Sequence, residues 1–175
     1  MAVIALVQLL SLGYGLHTMY QARPVYVVFS ADRFDLVTAV DILPESLAKA
    51  TRAPYQSLPL LGPQTIGARM PSDPDEKSAL LFSALRGGPD VQQLPQYYLP
   101  YAEVAQEAVR KAQPLEALMA RNEVARVRLA SWLKDNRREA SSVKWLPLLA
   151  KARELTVLVD GGSGTVLDML ALQPD

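Results

Sequence analysis

The chain has no cysteine, only one histidine, and no charged side chain before Arg23. The missing cysteine excludes disulfides, thiolate metal sites and cysteine nucleophiles. The lone His17 sits inside an apolar run, so it cannot serve Ser163 or Asp160 as a general base, and no serine triad assembles. Neither sign of charge is in excess: eighteen basic side chains balance eighteen acidic ones, which leaves no electrostatic footprint for nucleic acid. The basic cluster Arg126, Arg128, Lys134, Arg137 and Arg138 is interleaved with Glu123, Asp135 and Glu139, as on a solvated helix face.

The uncharged leader, residues 1–22, is the strongest signal present. A helix of about 22 residues rises roughly 33 Å, close to the hydrocarbon thickness of about 30 Å in a bilayer. Arg23-Pro24 then ends the run, because proline restricts the residue before it and lacks the helical N–H. The leading expectation is one transmembrane helix. Two other readings compete with it: a cleaved signal peptide and a buried core helix. The first lacks a basic n-region and would place Tyr20 at minus three for a cut after Ala22, with Gly13-Tyr14-Gly15 as a poorer site. Flanking charge does not set an orientation.

Within the leader, Gln8, Ser11, Gly15, Thr18 and Ala22 recur at alternating spacings of three and four, which aligns them on one helix face. Small and weakly polar residues in such a stripe let helices approach and bond in lipid. The expected contact is with other spans of the same protein, a second copy of the chain, or a foreign helix.

Residues 23–175 are enough for a single domain. Val25–Ser30 and a second strand through Phe34, Leu36, Val40 and Ile42 are expected to pair around Ala31-Asp32-Arg33. Pro44-Glu45 opens a short helix, and Pro54, Pro59, Gly62 and Pro63 indicate an irregular connection. Asp73-Pro74-Asp75-Glu76 reads as a helix start with Asp73 as cap and Glu76 closing a capping box, and Gly87-Gly88-Pro89 reads as its stop. A long kinked helical region is expected from about Tyr101 to Asn136, interrupted at Pro114, with Trp132 in the core. Pro147 marks an edge strand. Asp160–Gly164 closes a hairpin between strands over 155–159 and 165–170. The expected class is α+β, an antiparallel sheet with helices on one face.

Chemistry is sparse. The GGSG turn lacks the spacing of a phosphate loop, Ser163 fails the nucleophile-elbow pattern, and Asp73, Asp75 and Glu76 suit a helix cap better than a metal. Asp32 with Asp35 has no aromatic sugar platform beside it. No catalytic residue, cofactor or metal is expected, and the chain does not read as an enzyme. Candidate partner surfaces are the Tyr97, Tyr98, Tyr101 loop, by aromatic anchoring, and the Pro147 strand, by strand addition. The competing reading of those tyrosines is that they seal a loop onto its own core.

Several stretches together resemble the type IV pilin accessory protein family of the TfpX/TfpZ type: YGLHTMYQARPVYVVFSADRF, PSDPDEKSALLFSALRGGPD, QLPQYYLPYA, WLPL and VLVDGGSGTVLDML. The resemblance implies a bacterial inner-membrane protein whose domain after Arg23 faces the periplasm and helps the major pilin accumulate or assemble. It also implies further membrane segments upstream, so that residues 1–22 are the last of several spans. It carries over no catalytic residue. The alternative of a different class is a membrane-tethered periplasmic structural or sensor domain without a pilin client.

Overall fold

A computed structural model describes residues 2–151 and 153–173. Met1, at the start of the expected span, and Pro174 and Asp175, at the end of the expected domain, lie outside the described residues. Helix α1, Ala2–Gln21, is continuous. Its stretch Val3–Gln21 is long and apolar enough to cross a membrane and is not buried against the rest of the chain, which removes the core-helix reading. At its end the Arg23 guanidinium donates to the Tyr20 carbonyl at 2.8 Å and lies 3.8 Å from the centre of the Tyr20 ring.

Strand β1, Pro24–Ser30, follows without a linker and folds back on β2, Arg33–Thr38, with Val27 opposite Leu36 and Phe29 opposite Phe34. The single-turn helix α2, Pro44–Leu47, comes next. Strand β3, Gln64–Ala68, then runs parallel to β1, with Phe29 opposite Gly67. The irregular connection expected over Pro54–Pro63 ends here, and QTIGA offers one large apolar side chain and no alternation of its own. Its strand character is set by β1 alongside it.

Helix α3, Pro74–Leu85, starts as expected: Asp73 accepts the N–H groups of Asp75 and Glu76 at 2.8 and 3.0 Å. Glu76 does not close a capping box; its carboxylate accepts the Tyr97 hydroxyl at 2.7 Å. The helix stops where Gly88 and Gly87 donate to the carbonyls of Ser83 and Ala84, with Gly87 at φ 83°, a Schellman closure that glycine permits.

After β4, Tyr98–Pro100, the expected kinked helical region is three separate helices: α4, Ala105–Lys111; α5, Leu115–Arg121; and α6, Glu123–Asp135. Pro114 sits in the two-residue strand β5, Gln113–Pro114, between the first two. Asn122 caps the third by accepting the N–H groups of Val124 and Ala125. Strands β6, Val143–Ala150, β7, Arg153–Asp160, and β8, Val166–Leu170, complete the sheet.

The strand order is β4-β3-β1-β2-β6-β7-β8, with β5 pairing β6 beside this path. The class is α+β. Most pairings are antiparallel, but β1 with β3 and β2 with β6 are parallel, so the sheet is mixed. Pro147 is not on an edge, because β6 lies between β2 and β7. On its other side from β7, β6 is bonded to β5 at Lys144 and Trp145 and to β2 at Leu148 and Leu149. Pro147 falls in the gap between those neighbours, where its missing N–H costs no ladder bond.

Helices lie on both faces of the sheet. One face buries Val27, Phe29, Phe34, Leu146 and Val157 under Val104 and Ala108. The opposite face carries two clusters: Tyr26, Val28 and Ile66 under Leu80 of α3, and Trp145 with Leu158 under Leu118 and Leu129 of α5 and α6. Gly67 allows the first packing, since a Cβ there would lie 2.5 Å from Val104 Cγ2. Gly67→Ala is therefore expected to destabilise the fold by about 1–3 kcal/mol through overpacking, and Val104→Ala in the same chain to recover part of the loss relative to its own background. Urea unfolding of the two single variants and the double variant checks this.

Candidate partner-binding surfaces

On α1 the stripe residues differ in what they offer. Ser11 Oγ donates to the Val7 carbonyl and Thr18 Oγ1 to the Tyr14 carbonyl, each at 2.8 Å. Both hydroxyls are thus satisfied within the helix and can face lipid at little cost. A Cβ on Gly15 would meet nothing within 4 Å, so the backbone is open to close approach. The Gln8 amide has no hydrogen-bond partner among the described residues. In hydrocarbon that amide requires one from outside the helix.

The three tyrosines staple the chain to its own core. Tyr98 is 2% exposed, lies edge-on to Tyr26 and Tyr55 at 5.3 and 5.6 Å, and donates to the Gln92 carbonyl at 2.6 Å; burial pushes its phenol far up. Tyr101 packs on Phe34, its ring centre 5.8 Å away, and donates to the Gly164 carbonyl at 2.7 Å. Burial pushes that phenol up to about 12. Tyr97, bonded to Glu76, is only partly buried. Tyr98, buried in this way, has no face left for a partner, which corrects that expectation for Tyr98; Tyr101 is only partly buried. Strand addition at Pro147 is corrected too, since β6 is central; the open edges belong to β4 and β8.

A surface the sequence did not disclose lies between the two helix-covered clusters. The register places Asp35, Leu149 and Glu154 side by side on one face, with Pro147 two residues along. Two adjoining cavities along this strip share Leu149 and Glu154. One, of about 580 Å³, reaches Asp41, Gln92 and Lys151. The other, of about 320 Å³, passes Pro147 and Trp145 to Arg121. Burial pushes the Asp35 carboxyl up, against the pull of Arg33 at 3.4 Å. Lys151 pairs with Asp41 at 2.7 Å, and Trp145 Nε1 is buried without a partner among the described residues. The groove is polar, of mixed charge, and floored by strands.

The glycine-rich turn is structural. Asp160 Oδ1 accepts the N–H groups of Ser163 and Gly162 at 2.8 and 3.1 Å and the Ser163 hydroxyl at 3.0 Å, while Arg138 donates to Oδ2 at 2.6 Å. The Ser163 hydroxyl is engaged within the turn, bonded to Asp160 and 2.9 Å from the Thr165 hydroxyl. Among the described residues no group of three or more His, Cys, Asp or Glu is placed to hold a metal.

These features define an α+β head joined to an exposed apolar helix. Two curated proteins of Dichelobacter nodosus are similar to this chain. It is 26% identical to the fimbrial assembly protein of serogroup E1 over 161 residues, 91% of this chain and 62% of that protein. It is 29% identical to the fimbrial assembly protein of serogroup I over 114 residues, 65% of this chain and 44% of that one. The chain thus spans about half the length of the curated relatives it matches. No protein-family model and no solved structure matches it.

The Asp160 turn sets a pH dependence. The backbone N–H of Ser163, the Arg138 guanidinium and the Ser163 hydroxyl hold this carboxyl well below the usual range. A depressed folded value stabilises the fold above the unfolded value of about 3.9 and loses that contribution as pH falls through the folded one. Asp160→Asn is expected to cost about 1–2 kcal/mol at neutral pH, and the gap from the parent chain to shrink below about pH 4. Denaturant titrations at several pH values measure it.

Proposed function

We propose that this chain is a membrane-anchored accessory factor of fimbrial biogenesis, acting by binding and not by catalysis, with the major pilin as its client. The observation that carries the reading is the similarity to a fimbrial assembly protein over 91% of this chain. The geometry supports it. A pilin held in a bilayer has an apolar helix and a globular head, and this chain offers an apolar helix with an unpartnered Gln8 amide next to a head with an open groove. In this reading α1 spans the inner membrane, the head lies in the periplasm, and the contact is chaperone-like, covering pilin surfaces before polymerisation. Self-association through the same stripe is the competing use of α1.

Two substitutions separate these roles from mere tethering. Gln8→Leu removes the amide and is expected to weaken helix association by about 1 kcal/mol, roughly a fivefold loss of co-purified partner. Gly15→Leu overfills the approach and is expected to act in the same direction. Pilin abundance and surface piliation in a deletion strain, complemented by the parent or either variant, test the function. Unchanged pilin and pili in the deletion strain would overturn the reading, and capture of only a second copy would assign the stripe to self-association.

A further inference from the structure

Topology gathers four exposed apolar side chains at the end of the head where α1 enters. Strand β2 runs antiparallel to β1, with Thr38 opposite Pro24, so the residues after β2 return to that end. The Ala39 N–H donates to the Arg23 carbonyl at 3.0 Å. Val40, next in the chain, is 58% exposed, and Leu43 is 45% exposed. Strand β3 runs parallel to β1 and begins with Gln64 opposite Tyr26, so the loop leading into it emerges at the same end. That loop carries Leu60 and Leu61, 72% and 91% exposed, and Arg23 Nη2 reaches its Pro59 carbonyl at 3.5 Å.

We infer that Val40, Leu43, Leu60 and Leu61 form a foot that inserts into the headgroup and acyl boundary of the bilayer around α1. The occupant follows from continuity with the helix. Tyr20 and Arg23, stacked on each other, are the aromatic and cationic residues that settle at a membrane interface, and Ala39 is hydrogen-bonded to Arg23 itself. Apolar side chains held at that depth leave water for the acyl region. Leu61 is 91% exposed, and lipid beneath it would take that side chain out of water. The head is therefore seated on the membrane and does not swing on a tether.

The inference rests on α1 spanning the bilayer, and the test distinguishes the two. Because the chain has no cysteine, single-cysteine variants Leu61→Cys, Val40→Cys, Phe82→Cys and Leu10→Cys of the full chain accept one environment-sensitive fluorophore each. Phe82 is the control: it is 61% exposed but lies on α3, where its neighbour Leu81 lines a cavity with Ala31 and Asp32 at the far end of β1. The labelled proteins are reconstituted in phosphatidylcholine and phosphatidylglycerol vesicles containing either a shallow nitroxide lipid or, to read position 10, a mid-bilayer one, with iodide as the aqueous quencher. Positions 61 and 40 are expected to show at least about twofold stronger nitroxide quenching than position 82. Quenching at position 10 with iodide access at 61 and 40 overturns the foot and leaves the span intact. Protection of 61 and 40 from both quenchers means a protein covers them and also overturns it. No lipid quenching at position 10 removes the span, and the foot with it.

Discussion

Two-sided burial of β1 is the constraint on which the structure depends. Val25, Tyr26, Val27, Val28 and Phe29 are each at most 1% exposed, so this strand needs a hydrogen-bonded neighbour on each edge and a packed layer on each face. The neighbours are β2 and β3. The layers come from α4 on one side and from α3 with the Tyr26, Tyr55 and Tyr98 cluster on the other. A strand so enclosed reads as an unbroken apolar run without alternation. Two residues, Ala22 and Arg23, join this strand to α1, and Arg23 is bonded both to Tyr20 of the helix and to Ala39 of the head.

Local signals were legible where the chemistry is local. The Asp73 cap, the Gly87-Gly88 stop, the first hairpin and the Asp160–Gly164 turn each depend on residues adjacent in sequence. What was not legible depends on partners far away. Gln64–Ala68 becomes a strand because β1 lies beside it and because Gly67 leaves room for Val104. Pro147 was assigned to an edge by a sound rule; the rule concerns the missing N–H, and a gap between β5 and β2 meets that requirement inside the sheet. Residues 101–136 carry helical periodicity throughout, yet the break at Pro114 puts α4 on one face of the sheet and α5 with α6 on the other, which periodicity cannot reveal.

The binding surfaces divide in the same manner. The α1 stripe was visible from spacing, but spacing does not say that Ser11 and Thr18 spend their hydroxyls on their own helix while Gln8 does not. The tyrosines were visible as a cluster, and only their partners, Glu76, Gln92 and Gly164, show them to be fastened inward. The groove left no mark in any one segment, because Asp35, Glu154 and Gln92 come from three separate regions. One hint was present: Asp35 puts a carboxylate between the apolar Phe34 and Leu36 of β2.

The direct junction of α1 with β1 has a consequence for orientation. Each helical residue turns the chain by about 100° about its axis, and the Arg23 bonds to Tyr20 and Ala39 across the two-residue junction couple that rotation to the sheet. The compass bearing of the Gln8 side chain thus dictates the bearing of the groove above it. Any body that touched both the helix and the groove would have to meet them at one azimuth.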